Sequence, residues 1–181
     1  MVAQPQDVIG FWRHAGPKQW FAGKRSFDDA ILLKFEALHH NVARGNYDAK
    51  WMATAEGCLA MLIVLDQFPR NLYRGNAHAY ATDGKALAIA RHAIAAGFDQ
   101  EIDEDLRVFF YLPFEHAEDL ACQEEAVRLM EILGAEDYLK FALIHLDVIA
   151  QFGRFPHRNA ALGRETTAEE QAFLDEGGFA G

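Results

Sequence analysis

The 181-residue sequence predicts an all-α fold, and three observations carry that prediction. Apolar residues recur every three to four positions along most of the chain, no stretch alternates apolar with polar as a half-buried strand does, and only 5 prolines interrupt the pattern. A chain of this length buries enough surface for a full core without disulfides, so residues 1–181 are expected to form one domain.

The elements follow in order. A short helix over about residues 5–14 ends near Gly16-Pro17. Ser26 is placed to cap a longer helix in which Phe27, Ile31, Phe35, Leu38 and Val42 form one stripe, stopped by Gly45-Asn46. The third helix, about residues 54–66, is apolar almost all round and belongs at the centre of the molecule. The fourth spans about 76–96 and closes at Gly97. Asp103 opens a fifth, short helix, and Pro113 suits the first turn of a sixth running to Leu133-Gly134. A seventh covers about 136–151 and ends at Gly153. Thr167 and Glu170 make a capping box for the eighth.

The composition narrows the function. With 17 Lys and Arg against 27 Asp and Glu, the net charge is −10, which argues against nucleic acid or an anionic membrane surface as a partner. The longest uninterrupted apolar run, Cys58 to Leu65, is too short to span a membrane. The N-terminus lacks the basic and apolar regions of a signal peptide, and two cysteines make no disulfide framework, so a cytoplasmic setting is expected. Nor does the sequence hold a metal-site signature, a glycine-rich phosphate loop or a cofactor motif, so no metal or cofactor is expected.

Two segments repeat a pattern. After the central helix come Asp66-Gln67-Phe68-Pro69-Arg70-Asn71 and then Arg74-Gly75. After the seventh come Arg154-Phe155-Pro156-His157-Arg158-Asn159 and then Gly163-Arg164. Each Phe-Pro is expected to stop its helix, because proline lacks an amide donor and disfavours helix in the residue before it. The arginines have two readings. Unpaired helix carbonyls and neighbouring carboxylates attract cations, so they can be structural salt-bridge staples. Alternatively Arg70, Arg74 and Arg158, joined by Arg154 or Arg164 and with Asn71 and Asn159, converge on an anionic ligand, for which the planar guanidinium fork is suited.

A third polar cluster, Glu115-His116-Ala117-Glu118-Asp119, lies at the predicted start of the sixth helix, where His116, Asp119 and Gln123 would share a face. There His116 can act as a general acid or base oriented by a carboxylate. His145, on the apolar face of the seventh helix, reads as a core histidine, and His39-His40 as structural.

The segments LDQFPRNLYRG, FFYLPFEHAEDL and QFGRFPHRNAALGRETTAEEQAFL, preceded by VIGFW, resemble the bacterial domain-of-unknown-function family 924 over nearly the whole chain. The resemblance implies a fold similar to tetratricopeptide-repeat proteins, an array of antiparallel helix pairs, and implies no activity. Two functions follow as expectations. In the first, the protein binds a small anionic metabolite through Arg70, Asn71, Arg74, Glu115, Arg154, Arg158 and Asn159, with His116 or His157 moving a proton and Asp66 or Asp119 orienting it. In the second, the chain is a helical-repeat interaction module, the same motifs are staples, and Trp12, Trp20 and Trp51 help to form a partner groove.

Overall fold

Two compact units make up the computed structural model, which describes residues 3–180. One comprises the chain up to Arg74 together with His78–Pro113, and the other Gly75–Ala77 together with Phe114 onward. The described residues form helices joined by turns and short irregular segments and contain no strand, as the periodicity predicts. The eight expected helices resolve into more and shorter segments, because several are broken by turns that side chains stabilise.

In the first unit, α1 (Pro5–Ala15) starts with proline in its first turn, and Asp7 reaches back to accept the Gln4 amide at 2.8 Å. A short α2 (Pro17–Trp20) follows. Helix α3 (Arg25–Ala43) begins at Lys24 rather than at a Ser26 cap. Burial of the Phe27-Ile31-Phe35-Leu38-Val42 stripe fixes this helix, and its start has no side-chain cap. After α4 (Asp48–Trp51), Thr54 caps α5 (Ala55–Leu62) by accepting the Gly57 amide at 3.1 Å. Every residue of α5 except Glu56 is buried, as its all-round apolar character predicts.

The expected stop at Phe68-Pro69 does not occur. The chain passes from α5 through one wide π-helical turn, Ile63–Gln67, directly into α6 (Phe68–Leu72). Proline breaks a helix because it leaves an upstream carbonyl without a donor, and here side chains supply that donor. Thr82 Oγ1 donates to the Leu65 carbonyl at 2.6 Å, and His39 Nδ1 donates to the Val64 carbonyl at 3.0 Å. The Phe68 amide reaches back five residues to Ile63.

Phe68 itself is fully buried among Phe11, Trp12 and Phe35, with ring centroids 5.0–6.3 Å away. Trp12 also stacks on Trp20 and meets Phe109 edge-on, so the tryptophans are core residues. The fourth expected helix starts late: residues 77–79 form a single 3-10 turn and α7 runs Asp83–Ala95. Short α8 (Glu104–Arg107) and α9 (Leu112–Glu115) follow.

The expected sixth helix is also interrupted. It breaks after Glu115, and Asp119 caps a new helix, α10 (Leu120–Leu133), by accepting the Cys122 amide at 2.9 Å. The side chain of Gln123, fully buried, donates to the carbonyls of Glu115 and Ala117, both at 2.7 Å, which satisfies the chain end that the break exposes. His116 and Asp119 therefore do not share a helical face. Helices α10 and α11 (Glu136–Phe152) form a hairpin through Gly134. Helix α11 does stop, at Gly153 with φ +69°, a conformation only glycine adopts freely. A 3-10 turn at Pro156–Arg158, α12 (Asn159–Leu162) and α13 (Ala168–Asp175) complete the second unit, and Thr167 and Glu170 form the expected capping box.

Candidate functional site

In the first unit the polar residues of the Phe-Pro turn all have partners within that unit. Arg70 lies against two carboxylates. Its two Nη atoms donate to Asp83 at 2.9 and 3.0 Å, and Nη1 also reaches the Asp66 backbone carbonyl at 2.5 Å and its carboxylate at 3.4 Å. Asp66 is buried, and Gln67 donates to its other oxygen at 2.5 Å. Burial works against the Arg70 charge, but Asp66 and Asp83 more than offset it and hold the guanidinium protonated. One helical turn on, Arg74 grips Asp28 with two bonds of 2.8 and 3.0 Å, and Asn71 donates to the same carboxylate at 2.7 Å. Burial alone would raise the Asp28 pKa, yet the bonds from Arg74 and Asn71 lower it.

The second unit repeats this pairing with other residues. Arg154 forks onto Glu170 at 2.6 and 2.8 Å, and Asn159 donates to Glu170 at 3.2 Å. The bond from Arg154 is the main reason the Glu170 carboxyl is held down to about 2. Arg164 forks onto Glu118 at 2.6 and 2.9 Å and also donates to Asn159 Oδ1 and to the Phe155 carbonyl. Glu118 accepts the Phe155 amide at 2.8 Å, so these pairs clamp both backbone groups of Phe155.

The remaining predicted residues of this unit gather around the buried Phe155 ring. Arg158, itself buried, lays its guanidinium over that ring 4.4 Å from the centroid and donates from Nη1 to the His116 carbonyl at 3.0 Å. His145 meets Phe155 edge-on at 5.4 Å, His116 lies 6.3 Å from His145, and His157 lies 5.7 Å from Phe155. His145 Nδ1 is 2.8 Å from the Phe141 carbonyl and 3.3 Å from a Glu115 carboxylate oxygen. A carbonyl only accepts, so Nδ1 carries the proton and Nε2 is the basic nitrogen of the neutral ring. Burial first, and then electrostatic repulsion from His116, Arg158 and His157, push the imidazole down to about 3, so it stays neutral near pH 7.

The predicted residues thus fall into two groups. Asp66, Arg70, Asn71 and Arg74 lie in the first unit, where carboxylates engage both arginines. Glu115, His116, His157 and Arg158 come together in the second around Phe155 and His145. Arg154 and Asn159 belong to the Glu170 clamp, and Asp119 is an exposed helix cap. His145 is buried as expected of a core histidine, but it stands among the other charged and titratable groups of the cluster. Asp28, Asp83, Glu118 and Glu170 were not expected as partners of these arginines. Among the described residues, no group of three or more His, Cys, Asp or Glu side chains is arranged to hold a metal ion.

Comparisons with known proteins agree with this architecture. A solved structure of a protein of unknown function, ATU0120 from Agrobacterium tumefaciens, is similar at 49% sequence identity with a TM-score of 0.91, covering 95% of this chain and 97% of that one. No curated protein matches the sequence. The family described as "Bacterial protein of unknown function (DUF924)" matches residues 8–178, and the chain belongs to that family.

Proposed function

We propose that the protein binds a small anionic molecule in its second unit, where Arg158 holds the anion and His116 and His157 stand beside it as proton donors. The Phe141 carbonyl fixes the tautomer of His145, with a Glu115 oxygen 3.3 Å from the same Nδ1, so the ring presents a neutral acceptor nitrogen. The observation that carries this reading is the convergence of one guanidinium and two imidazoles, His145 and His157, on a single buried ring, Phe155, with the His116 ring 6.3 Å from that of His145. Arg158, buried among these imidazoles, has the planar fork that suits an anion, and the ring nitrogens beside it can share a proton with that anion.

The staple reading applies to the other arginines. Arg70, Arg74, Arg154 and Arg164 each meet a carboxylate of their own unit in two-bond geometry, which supports a role in holding the turns closed. An acidic chain whose two free cysteines are buried suits a reducing, cytoplasmic setting.

The test is thermal unfolding of the full chain in inorganic phosphate, acetate and matched chloride. Phosphate or acetate should raise the melting temperature of the wild type and of Arg74→Ala, but not of Arg158→Ala. Equal responses in all three proteins, or no response in any, would overturn the reading.

A further inference from the structure

Gly177 and Gly178 end α13, and the backbone turns sharply: Gly177 has φ +81°, and the Gly178 amide bonds back to the Phe173 carbonyl at 2.9 Å. This turn delivers Phe179 onto the cluster. Its ring centroid lies 4.3 Å from that of His145, 5.3 Å from His157 and 6.3 Å from Phe155. Unlike Phe155, the ring is only partly buried, and it belongs to a segment outside any helix. A partly buried aromatic ring thus occupies a slot walled by two imidazoles and a phenyl ring, next to a guanidinium that lies over that same phenyl ring.

We infer that Phe179 marks the place of an aryl group, and that the ligand is an aromatic anion whose ring displaces Phe179 while its charged substituent reaches Arg158. This rests on the anion-binding reading above and adds the ligand class. The slot favours a flat ring because imidazole and phenyl faces offer stacked and edge-on contacts that an aliphatic group uses less well. A segment that lies outside any helix, is only partly buried and is redirected by two glycines can leave the slot without unwinding α13.

Titration of the full chain with benzoate, phenyl phosphate, acetate and inorganic phosphate, followed by NMR of the His145 imidazole and the Phe179 ring, tests the inference. Benzoate or phenyl phosphate should bind at least about tenfold tighter than its counterpart without the ring, and should shift both resonances. Phe179→Ala should tighten binding of the aryl anions about three- to tenfold and leave acetate and phosphate unchanged. If acetate and phosphate bind as well as the aryl anions, or if Phe179→Ala changes nothing, the aryl slot is overturned while the anion site stands. If none of the four binds, both fail.

Discussion

The two Phe-Pro turns place the same residue types differently. At Phe68-Pro69 the helix continues, proline is absorbed by a wide turn, and the carbonyls left open are taken by Thr82 and His39. At Phe155-Pro156 the helix has already stopped at Gly153, and the phenylalanine is held instead by Glu118 on its amide and Arg164 on its carbonyl. In the first turn the arginine that follows proline is committed to two carboxylates. In the second, where His157 is inserted, the corresponding Arg158 holds its guanidinium 4.4 Å from the ring centroid of the phenylalanine it follows, among histidines. A single added residue therefore separates an arginine used for closure from one that faces a cluster of titratable groups.

Substitutions at the two arginines sharpen this contrast. Arg70→Ala should cost about 3 kcal/mol in urea unfolding, since it strips a buried Asp66 of its charged neighbour. Arg158→Ala should remove the response to anions, which Arg70→Ala should leave in place. An anion response that survives Arg158→Ala, or that disappears in Arg70→Ala, would erase the distinction. Thr82→Val should cost about 1 kcal/mol by leaving the Leu65 carbonyl unanswered, a penalty specific to the turn in which proline sits inside a helix.

The smallest effects at neutral pH concern protonation. The folded state keeps His145 neutral down to about 3, whereas the unfolded chain takes up that proton near 6.5, so this contribution is complete above pH 6.5 and is lost as the pH falls toward 3. Glu170 has the same sign in a lower window: its contribution is complete above 4.5 and disappears as the pH falls through about 2. His145→Gln should flatten the stability profile between pH 6.5 and 4.5, reduce its slope from 4.5 to 3 and leave the limb between 3 and 2 to Glu170. Chemical denaturation across that range checks both.

Much of the fold was legible because it rests on local periodicity. The Phe27-to-Val42 stripe, the apolar character of α5 and the Thr167–Glu170 box involve residues within a few turns of one another. The breaks were less legible, because they depend on distant donors. Nothing near Pro69 announces Thr82 or His39, and nothing near His116 shows that Gln123 will close the chain end there. The same holds for the site. Arg154, Arg158 and Asn159 stood out by repetition, whereas Glu118, Asp28 and Asp83 lie far along the chain from the arginines they bind. His145 was masked by the apolar face it shares, and its position beside Glu115 became visible only once the helices were packed.

The wide turn at Ile63–Gln67 also sets a phase. A π turn accommodates one more residue than an α turn, and one residue corresponds to a rotation of about 100° around the helix axis. Everything downstream of it, Arg70, Asn71 and Arg74 included, is thus indexed to an insertion in the middle of the core. Deleting one residue there would preserve length, hydrophobicity and helix propensity almost unchanged, yet turn those three side chains away from Asp83 and Asp28. The deepest, most apolar segment of the chain acts as the dial that aims its most polar one.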